Sequence, residues 1–398
     1  MADRAAERSG DEPGGVRRSG PSTVSVHAGD LAPEIGGSVV NPIYQTTTFF
    51  SEPEGGGEVL YTRYGNNPNH IWLEERISAL EGGGECVVFG SGMAAMTAAV
   101  LSCVAAGDHV VAARALYGGT RVLLDRELSR LGIETTFVDV GSPGWEREMK
   151  QNTRLILLEI PTNPLLRVID PGPVVDIARA RGAAVAVDAT FATPINFRGL
   201  EHGVDLIVHS ATKYFGGHTD VTAGAVCGTA VRISSVRDRA RIFGAALDPH
   251  AAWLLERGIK TLSLRMARHN ENGLRVAEWC VSQRGIARVH YPGLPDHPDH
   301  ETARRILDGF GGMLSIELSS GEAGATQFVR ALRLAKLAPS LGGVETLVSE
   351  PRHTSHASLS EADRAGQGIG PGFVRISLGI EDARDIIADL EQALAAAG

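Results

Sequence analysis

The sequence predicts an α/β protein in which a large, mostly parallel sheet precedes a smaller C-terminal α/β domain. Two observations predict this class. Strand and helix patterns alternate from residue 73 to residue 208, which is typical of βαβ units with helices on both faces of one sheet. After about residue 245, long amphipathic helical patterns replace this alternation. The chain has 398 residues, 43% of them hydrophobic, which is enough for one large core and a smaller one.

Four segments are expected along the chain. Residues 1–22 are rich in Gly, Ser and balanced charges, so they predict a disordered tail. Residues 23–60 contain only short apolar runs, which predicts an N-terminal arm that contacts a neighbouring subunit. Residues 61–250 are expected to form the large domain and residues 251–398 the small one.

The periodicity predicts these elements in order. Strands are expected at residues 85–89, 108–114, 134–140, 153–160, 183–188, 204–208, 312–318 and 374–378. Helices are expected at residues 73–81, 92–104, 120–132 and 171–182, then as one long connecting helix from 252 to about 284, and last at 382–397.

One apolar strand ends at Val208 and leads at once into Ser210, Thr212 and Lys213. A lysine that follows a buried strand places its amine in a partly desolvated cleft, and desolvation lowers the pKa of an amine. Such a lysine is a candidate Schiff-base nucleophile, and the two hydroxyls could hold phosphate oxygens. The combination points to pyridoxal 5'-phosphate (PLP); the alternative is a surface lysine in a polar loop.

Other candidate residues also follow predicted strands, where ligands bind in parallel sheets. Asp188 could keep the pyridine nitrogen of PLP protonated, Tyr117 could stack on the ring, and Asn163 could bond the ring hydroxyl. Gly92 and the backbone of Met93 open a helix after a strand and could bind the phosphate. Taken singly, Asp188 could be a capping carboxylate, Tyr117 a packing tyrosine, and the glycine segment at Gly92 a tight turn.

A loop at residues 61–68 carries Tyr61 and Arg63 among Asn, Gly and Pro residues. The planar fork of an arginine suits a phosphate, although a solvated loop is the ordinary interpretation of such a segment.

Composition argues against several other classes. The net charge is −9 with no basic patch, so neither nucleic acid nor membrane is expected as a partner. No apolar run is long enough to span a bilayer, and residues 1–22 lack the apolar core of a secretory signal. Four dispersed cysteines indicate reduced thiols and a cytoplasmic location. His353 and His356 have no third ligand nearby, so no metal is expected.

Ten motifs occur in a specific order along the chain. They are VHAGD (26–30), PIYQT (42–46), YTRYGNNP (61–68), GSGMA (90–94), LYGGT (116–120), PTNP (161–164), VDATF (187–191), SATK (210–213), SLGGVET (340–346) and RISLGIE (375–381). From about Thr23 to its end, the sequence resembles the Cys/Met-metabolism family of PLP-dependent enzymes. This family includes cystathionine γ-synthase, cystathionine γ-lyase, methionine γ-lyase and O-acetylhomoserine sulfhydrylase.

The resemblance implies the aspartate-aminotransferase-like architecture called fold type I and a homotetramer built as a dimer of dimers. Tyr61 and Arg63 would reach the phosphate of the neighbouring subunit, so that active sites are shared. Arg375 with Ser340 would hold the substrate carboxylate, although Arg375 alone also fits a strand-edge salt bridge. Glu345 would lie near the distal end of the substrate.

The same resemblance implies γ-elimination through a Lys213 aldimine, with Tyr117 assisting proton transfer to the leaving group. The substrate would be cystathionine or a related γ-substituted amino acid, and the products a 2-oxo acid and ammonia. The alternatives are γ-replacement by a cystathionine γ-synthase or an O-acylhomoserine sulfhydrylase, methionine γ-lyase activity, and a specialised γ-lyase. A catalytically idle binding subunit is disfavoured because Lys213 and Asp188 are both present.

Some positions bear on the choice among these reactions. Gly119 stands near a position where methionine γ-lyases carry cysteine, which favours the cystathionine enzymes, and so does Glu345. Residues 219–224 and 257–269 resemble methionine γ-lyase as closely. Residues 351–356 replace a more apolar family segment, which favours a specialised substrate.

Overall fold

The computed structural model describes residues 16, 19–32, 34–53, 57–354, 361–366 and 368–397. Most of the predicted tail therefore lies outside the described residues. The first helix, α1 (Pro21–His27), begins two residues inside that predicted tail.

A large sheet contains the first seven strands. They are β1 (Glu85–Phe89), β2 (His109–Ala113), β3 (Glu134–Val138), β4 (Thr153–Glu159), β5 (Ala184–Asp188), β6 (Leu206–His209) and β7 (Gly224–Gly228). Their spatial order is β1-β7-β6-β5-β4-β2-β3. Strand β7 runs antiparallel to both of its neighbours, β1 and β6, while β2 to β6 pair in parallel. The sheet is mostly parallel, as predicted, but β7 was not predicted.

Helices connect these strands and cover both faces of the sheet. They are α2 (Pro68–Leu80), α3 (Gly92–Cys103), α4 (Gly118–Val122), α5 (Leu128–Arg130), α6 (Pro171–Ala180), α7 (Thr193–Asn196) and α8 (Ala230–Phe243). A π-helical turn at Leu123–Glu127 joins α4 to α5, so the helix predicted at residues 120–132 is present with an irregular middle.

Helix starts follow a common local rule. Asn67, Asp170 and Asp248 each precede a proline, and each side chain accepts a hydrogen bond from a backbone N–H of the first turn. An Asx side chain at the N-cap satisfies a donor that lacks an intrahelical partner, and proline is pre-shaped for the first helical position.

A second sheet belongs to the C-terminal part. Its strands are β8 (Ile286–His290), β9 (Met313–Leu318), β10 (Lys336–Leu337), β11 (Leu347–Ser349) and β12 (Phe373–Ser377), in the order β10-β11-β12-β9-β8. The accompanying helices are α11 (His300–Ile306), α12 (Gly321–Ala331), α13 (Glu361–Gly366) and α14 (Ala383–Ala396).

Two hydrophobic cores correspond to the two sheets. Apolar side chains of the connecting helices belong to the first core as far as Met266, and the second core begins at Val276. The helix that carries both residues therefore packs against both cores. The predicted domain boundary at residue 250 stays a prediction.

The predicted single helix from residue 252 to 284 is wrong, because two helices occupy this region: α9 (Pro249–Ile259) and α10 (Leu262–Val281). The carbonyl of Gly258 accepts hydrogen bonds from the Thr261 hydroxyl at 3.1 Å and from the Arg265 guanidinium at 2.8 Å. In a continuous helix the Gly258 carbonyl would accept the backbone N–H of Leu262. Because the two side chains bind this carbonyl instead, the helix breaks there.

Part of the predicted N-terminal arm packs on its own chain. Val24 and Ala28 are buried, and the Arg76 guanidinium donates to the carbonyls of Ser25 and Val26 at 2.8 and 2.7 Å. Most of the described residues of the arm beyond residue 30 are exposed, although Asn41 is buried, and Phe50 is fully accessible. Contact of this outer portion with a neighbouring subunit stays a prediction.

No helix in the described ranges combines the length and the apolarity that crossing a membrane requires.

Arg76 provides a test of how the arm is held. Its guanidinium is fully buried and pairs with Asp30 at 2.6 Å and with buried Glu256 at 3.3 Å. Arg76→Met leaves Glu256 buried without this partner, so we expect a loss of about 3–5 kcal/mol in unfolding free energy. Denaturant unfolding followed by circular dichroism measures this loss.

The matched control is Lys260→Met, which removes a half-exposed partner of the same Asp30. We expect it to cost about 1 kcal/mol or less. Equal losses in the two variants would contradict the structural role given to Arg76.

Candidate active site

A cavity of about 720 Å³ lies at the carboxyl end of the parallel strands. It is lined by residues that follow β4, β5 and β6, by the start of α3 and by residues of the C-terminal part. The lining includes Gly92, Met93, Tyr117, Asn163, Asp188, Ser210, Thr212, Lys213, Ser340 and Arg375, all of which the sequence predicted as site residues.

Lys213 lies at the centre of this set. Its Nζ donates a hydrogen bond of 2.7 Å to Oγ of Ser340. Burial lowers the pKa of Lys213 to about 8, and the nearby charge of Arg375 acts in the same direction. The alternative of an ordinary surface lysine is therefore excluded.

Two carboxylates end neighbouring strands beside Lys213. Asp188 and Glu159 are register partners at the ends of β5 and β4. Thr190 donates its backbone N–H at 3.0 Å and its hydroxyl at 2.5 Å to Oδ1 of Asp188. Desolvation raises the pKa of both carboxyls, and the charge of Asp188 raises that of Glu159 further. Among the described residues, none donates to Oδ2 of Asp188. This oxygen is therefore able to accept a hydrogen bond from a protonated ring nitrogen.

Arg375 on β12 closes the site from the C-terminal part. Its guanidinium donates to Oδ1 of Asn163 and to the carbonyl of Ser340, each at 3.1 Å. Within the described ranges it has no carboxylate partner, and its Nε lacks a hydrogen bond. The strand-edge salt bridge is thus excluded there, and burial lowers the pKa of Arg375 to about 10. A buried guanidinium of this kind suits an anionic ligand.

The start of α3 forms a narrow approach to the strand end. A Cβ added to Gly92 would lie 2.7 Å from both Cβ and Oγ of Ser210, so only glycine allows this contact. The first backbone N–H groups of a helix have no intrahelical acceptor. Those of Gly92 and Met93 can therefore bind the oxygens of a phosphate.

The two predicted hydroxyl groups differ in how they are engaged. Ser210 borders the cavity beside Gly92. The hydroxyl of Thr212 donates to the carbonyl of Ala223 at 3.1 Å and accepts the N–H of the same residue at 2.9 Å. Thr212 therefore has to exchange its bond to Ala223 before it can donate to a phosphate.

Tyr117 presents an accessible ring at the cavity. The residue is 44% exposed, which excludes packing in the core but leaves packing at the rim open. A Cβ added to Gly119 would lie 2.6 Å from Cε1 of Tyr117 and 3.1 Å from Sδ of Met93. The absence of a side chain at residue 119 thus permits the observed tilt of the tyrosine ring.

Three predicted residues lie outside the cavity of this chain. Arg63 donates to the carbonyl of Arg241 at 2.7 Å and stacks with the rings of Tyr61 and Tyr64. Glu345 accepts a hydrogen bond of 3.2 Å from Thr219. One chain therefore does not bring Tyr61, Arg63 or Glu345 to the lysine.

Several lining residues were not predicted as site residues. They are Ser91, Met96, Thr120, Glu159, Thr190, Phe191, Thr222, Pro339, Leu341, His353 and Thr354. Glu159 ends a strand, so the strand-end rule that identified Asp188 applies to it equally. His353 lines the cavity, and His356 lies outside the described residues.

The arrangement fits PLP. Lys213 offers a desolvated amine for the aldehyde, Asp188 an acceptor for the pyridine nitrogen, the start of α3 N–H donors for the phosphate, and Tyr117 a ring for stacking. Arg375 lies across Asn163 and Ser340 from these groups, where it can hold the carboxylate of an amino acid.

Known proteins resemble this chain over nearly all of its length. A family model described as "Cys/Met metabolism PLP-dependent enzyme" matches residues 22–395. L-methionine gamma-lyase of Fusobacterium nucleatum subsp. polymorphum is 42% identical, over 95% of this chain and 99% of that protein. Chloroplastic cystathionine gamma-synthase 1 of Arabidopsis thaliana is 39% identical, over 95% of this chain and 69% of that protein.

A solved structure shows the same fold. Cystathionine gamma-lyase from Lactobacillus plantarum, complexed with L-serine, superposes with a TM-score of 0.91 at 35% identity, over 95% of this chain and 99% of that one. The predicted fold class is thereby confirmed.

The lowered pKa of Lys213 predicts how PLP capture depends on pH. Only the neutral amine attacks an aldehyde, and its fraction rises about tenfold per pH unit below the pKa. With a pKa of about 8, the rate of PLP capture by apoprotein should rise with pH and level off above about pH 8. Stopped-flow absorbance after mixing with PLP measures it. A rate that continues to rise towards pH 10 would contradict the burial of this amine.

Proposed function

Because the chain belongs to the Cys/Met-metabolism family of PLP-dependent enzymes, we propose that it catalyses γ-elimination from cystathionine or a related γ-substituted amino acid. One water is consumed, and the products are the released γ leaving group, a 2-oxo acid and ammonia. The family resemblance seen in the motifs is confirmed, and PLP is the cofactor. The chain is a PLP-dependent enzyme of the lyase and synthase type found in sulfur amino-acid metabolism.

The observation that carries the proposal is the link from Arg375 through Ser340 to Lys213. The carbonyl of Ser340 accepts a hydrogen bond from the Arg375 guanidinium, and its hydroxyl accepts one from the Lys213 amine. A substrate carboxylate bound to Arg375 therefore brings its Cα close to Nζ of Lys213. Ser340 has a φ of +86°, which is unusual for a residue other than glycine and is often found at functional sites.

The residues of this chain then have distinct tasks. Arg375 and Ser340 hold the carboxylate, and Nζ of Lys213 takes the proton from Cα. When bound, PLP accepts the electron pair that this proton leaves behind. Asp188 holds the proton on the pyridine nitrogen, and Tyr117 assists proton transfer to the γ leaving group.

Phosphate binding extends the proposal to a second subunit. We propose a homotetramer, a dimer of dimers, in which Tyr61 and Arg63 reach the phosphate site of the neighbouring chain. Both residues lie outside the cavity of their own chain, and the exposed arm that precedes them carries fully accessible Phe50. Gly92, Met93, Ser210 and Thr212 would supply the remaining phosphate contacts.

We also propose a reducing, cytoplasmic location. Four free cysteines support it, three of them buried, because such thiols are typical of reducing compartments.

A second candidate function is γ-replacement, in which a thiol adds at Cγ. The similarity to a cystathionine gamma-synthase at 39% identity favours it. Gly119 supports a cystathionine-type substrate in either reaction, because the family resemblance implies a cysteine near this position in methionine γ-lyases. Polar His353 and Thr354 border the cavity and favour a polar distal group over the methylthio group of methionine.

A substrate panel separates these activities. Purified holoenzyme is assayed for 2-oxobutanoate and ammonia with L-cystathionine, O-succinyl-L-homoserine and L-methionine, each with and without added L-cysteine. We expect 2-oxobutanoate from cystathionine without the thiol. Lys213→Ala should lower this turnover by about 10³-fold or more while PLP still binds without a covalent bond.

Other outcomes assign the alternatives. Turnover of O-succinylhomoserine to cystathionine, with no 2-oxo acid from cystathionine, would replace elimination by γ-replacement. Turnover of methionine alone would assign methionine γ-lyase activity. Full activity in Lys213→Ala would overturn the role of this residue.

A further inference from the structure

Glu159 ends β4 inside the cavity and is almost fully buried, with 4% of its surface exposed. Its two carboxylate oxygens accept from two different backbone groups. Oε1 accepts the N–H of Asn163 at 2.8 Å, and Oε2 accepts the N–H of Tyr117 at 2.7 Å. One side chain thus fixes the backbones of two residues that face the cofactor site.

These two residues reach the site on different loops. Tyr117 follows β2 and caps α4, whereas Asn163 follows β4. Asn163 in turn accepts the guanidinium of Arg375 at 3.1 Å. A shift of Glu159 would therefore move the stacking ring, the contact to the cofactor hydroxyl and the carboxylate anchor together.

We propose that Glu159 is a positioning residue that sets Tyr117 and Asn163 against the cofactor ring. The inference rests on the proposed PLP contacts of these two residues. The backbone N–H groups of Tyr117 and Asn163 require two acceptor oxygens, which a carboxylate supplies. A glutamine supplies only one, and its amide would face the second N–H donor to donor.

The location of Glu159 beside Asp188 strengthens this inference. The two side chains are register partners on adjacent strands, so that two acidic groups share a poorly solvated edge. Burying a second carboxylate there carries an electrostatic cost. A neutral residue would remove that cost, so the carboxylate is explained by its two acceptor oxygens rather than by its charge.

The competing explanation is that the charge of Glu159 tunes Asp188. Two variants distinguish an effect of the charge of Glu159 from an effect of the length of its side chain. Glu159→Asp keeps the charge but is one methylene shorter, so it cannot span both N–H groups. Glu159→Gln keeps the length but loses the charge and one acceptor.

The matched control is Asp205→Asn at the opposite edge of the same sheet. Oδ2 of Asp205 accepts the backbone N–H of Val185 in β5 at 2.9 Å, so the control also removes a carboxylate that holds backbone. It lies outside the cavity lining.

The experiment compares holoenzyme of all three variants with the parent. Visible circular dichroism of bound PLP, normalised to PLP content, reports the setting of the cofactor without any substrate. Dissociation constants for PLP and the separate values of kcat and KM complete the comparison, and thermal melts establish that each variant is folded.

Both Glu159 variants should change the visible circular dichroism band and lower kcat/KM by about 10²-fold, as expected for a displacement of about 1 Å. KM should rise and kcat should fall, because the carboxylate anchor and Tyr117 both move. The Asp205→Asn band should match the parent. Parental behaviour in Glu159→Asp, or an unchanged band in both Glu159 variants, would overturn the proposal.

The circular dichroism measurement distinguishes failure of the proposed γ-elimination activity from failure of the role proposed for Glu159. A wrong substrate assignment would leave the circular dichroism comparison valid, since no substrate is present. An unchanged band with confirmed lyase activity would remove the role of Glu159 alone.

Discussion

Two cations that have no carboxylate partner among the described residues govern this site. Lys213 and Arg375 lie on either side of Ser340, and burial lowers the pKa of both. An unpaired buried charge is unfavourable, so a fold keeps it where a ligand supplies the opposite charge. A carboxylate relieves Arg375, while Lys213 can lose its proton and become a nucleophile. The parallel sheet, the glycine turn and the second sheet all serve to bring these two groups together.

Much of the site could be predicted from sequence because its residues follow strand ends. Asp188 ends an apolar strand, Asn163 and Lys213 each lie in the loop that follows one, and parallel strands bring their carboxyl ends to one edge. Glu159 obeys the same rule, but its role depends on which loops pass within reach of its two oxygens. That information is tertiary, and periodicity does not contain it.

The break between two helices and one antiparallel strand were also not predicted, because each depends on contacts or residues that leave little pattern in the sequence. The break between α9 and α10 comes from Arg265, which reaches back to the carbonyl of Gly258; the amphipathic pattern continues through the break unchanged. The antiparallel strand β7 is short and has glycine at both ends, so it carries little strand signal. Tyr61 and Arg63 were predicted from motifs, and their proposed role needs a second chain.

The residues proposed for catalysis differ from those that bear on the choice of reaction. The roles proposed for Lys213, Asp188 and Arg375 serve γ-elimination and γ-replacement alike, so these residues do not discriminate among the reactions. His353 and Thr354 border the cavity, and Gly119 lies against the ring of Tyr117, which also lines it. We expect these residues to influence the choice of leaving group.

We propose that Lys213 is the amine that holds the cofactor. Reduction of the holoenzyme with borohydride makes a lysine–PLP linkage permanent, and peptide mapping by mass spectrometry then locates it. We expect a single modified peptide with the pyridoxyl group on Lys213, and no labelled peptide in Lys213→Ala. Modification of another lysine, or a holoenzyme in which reduction labels no peptide, would contradict it.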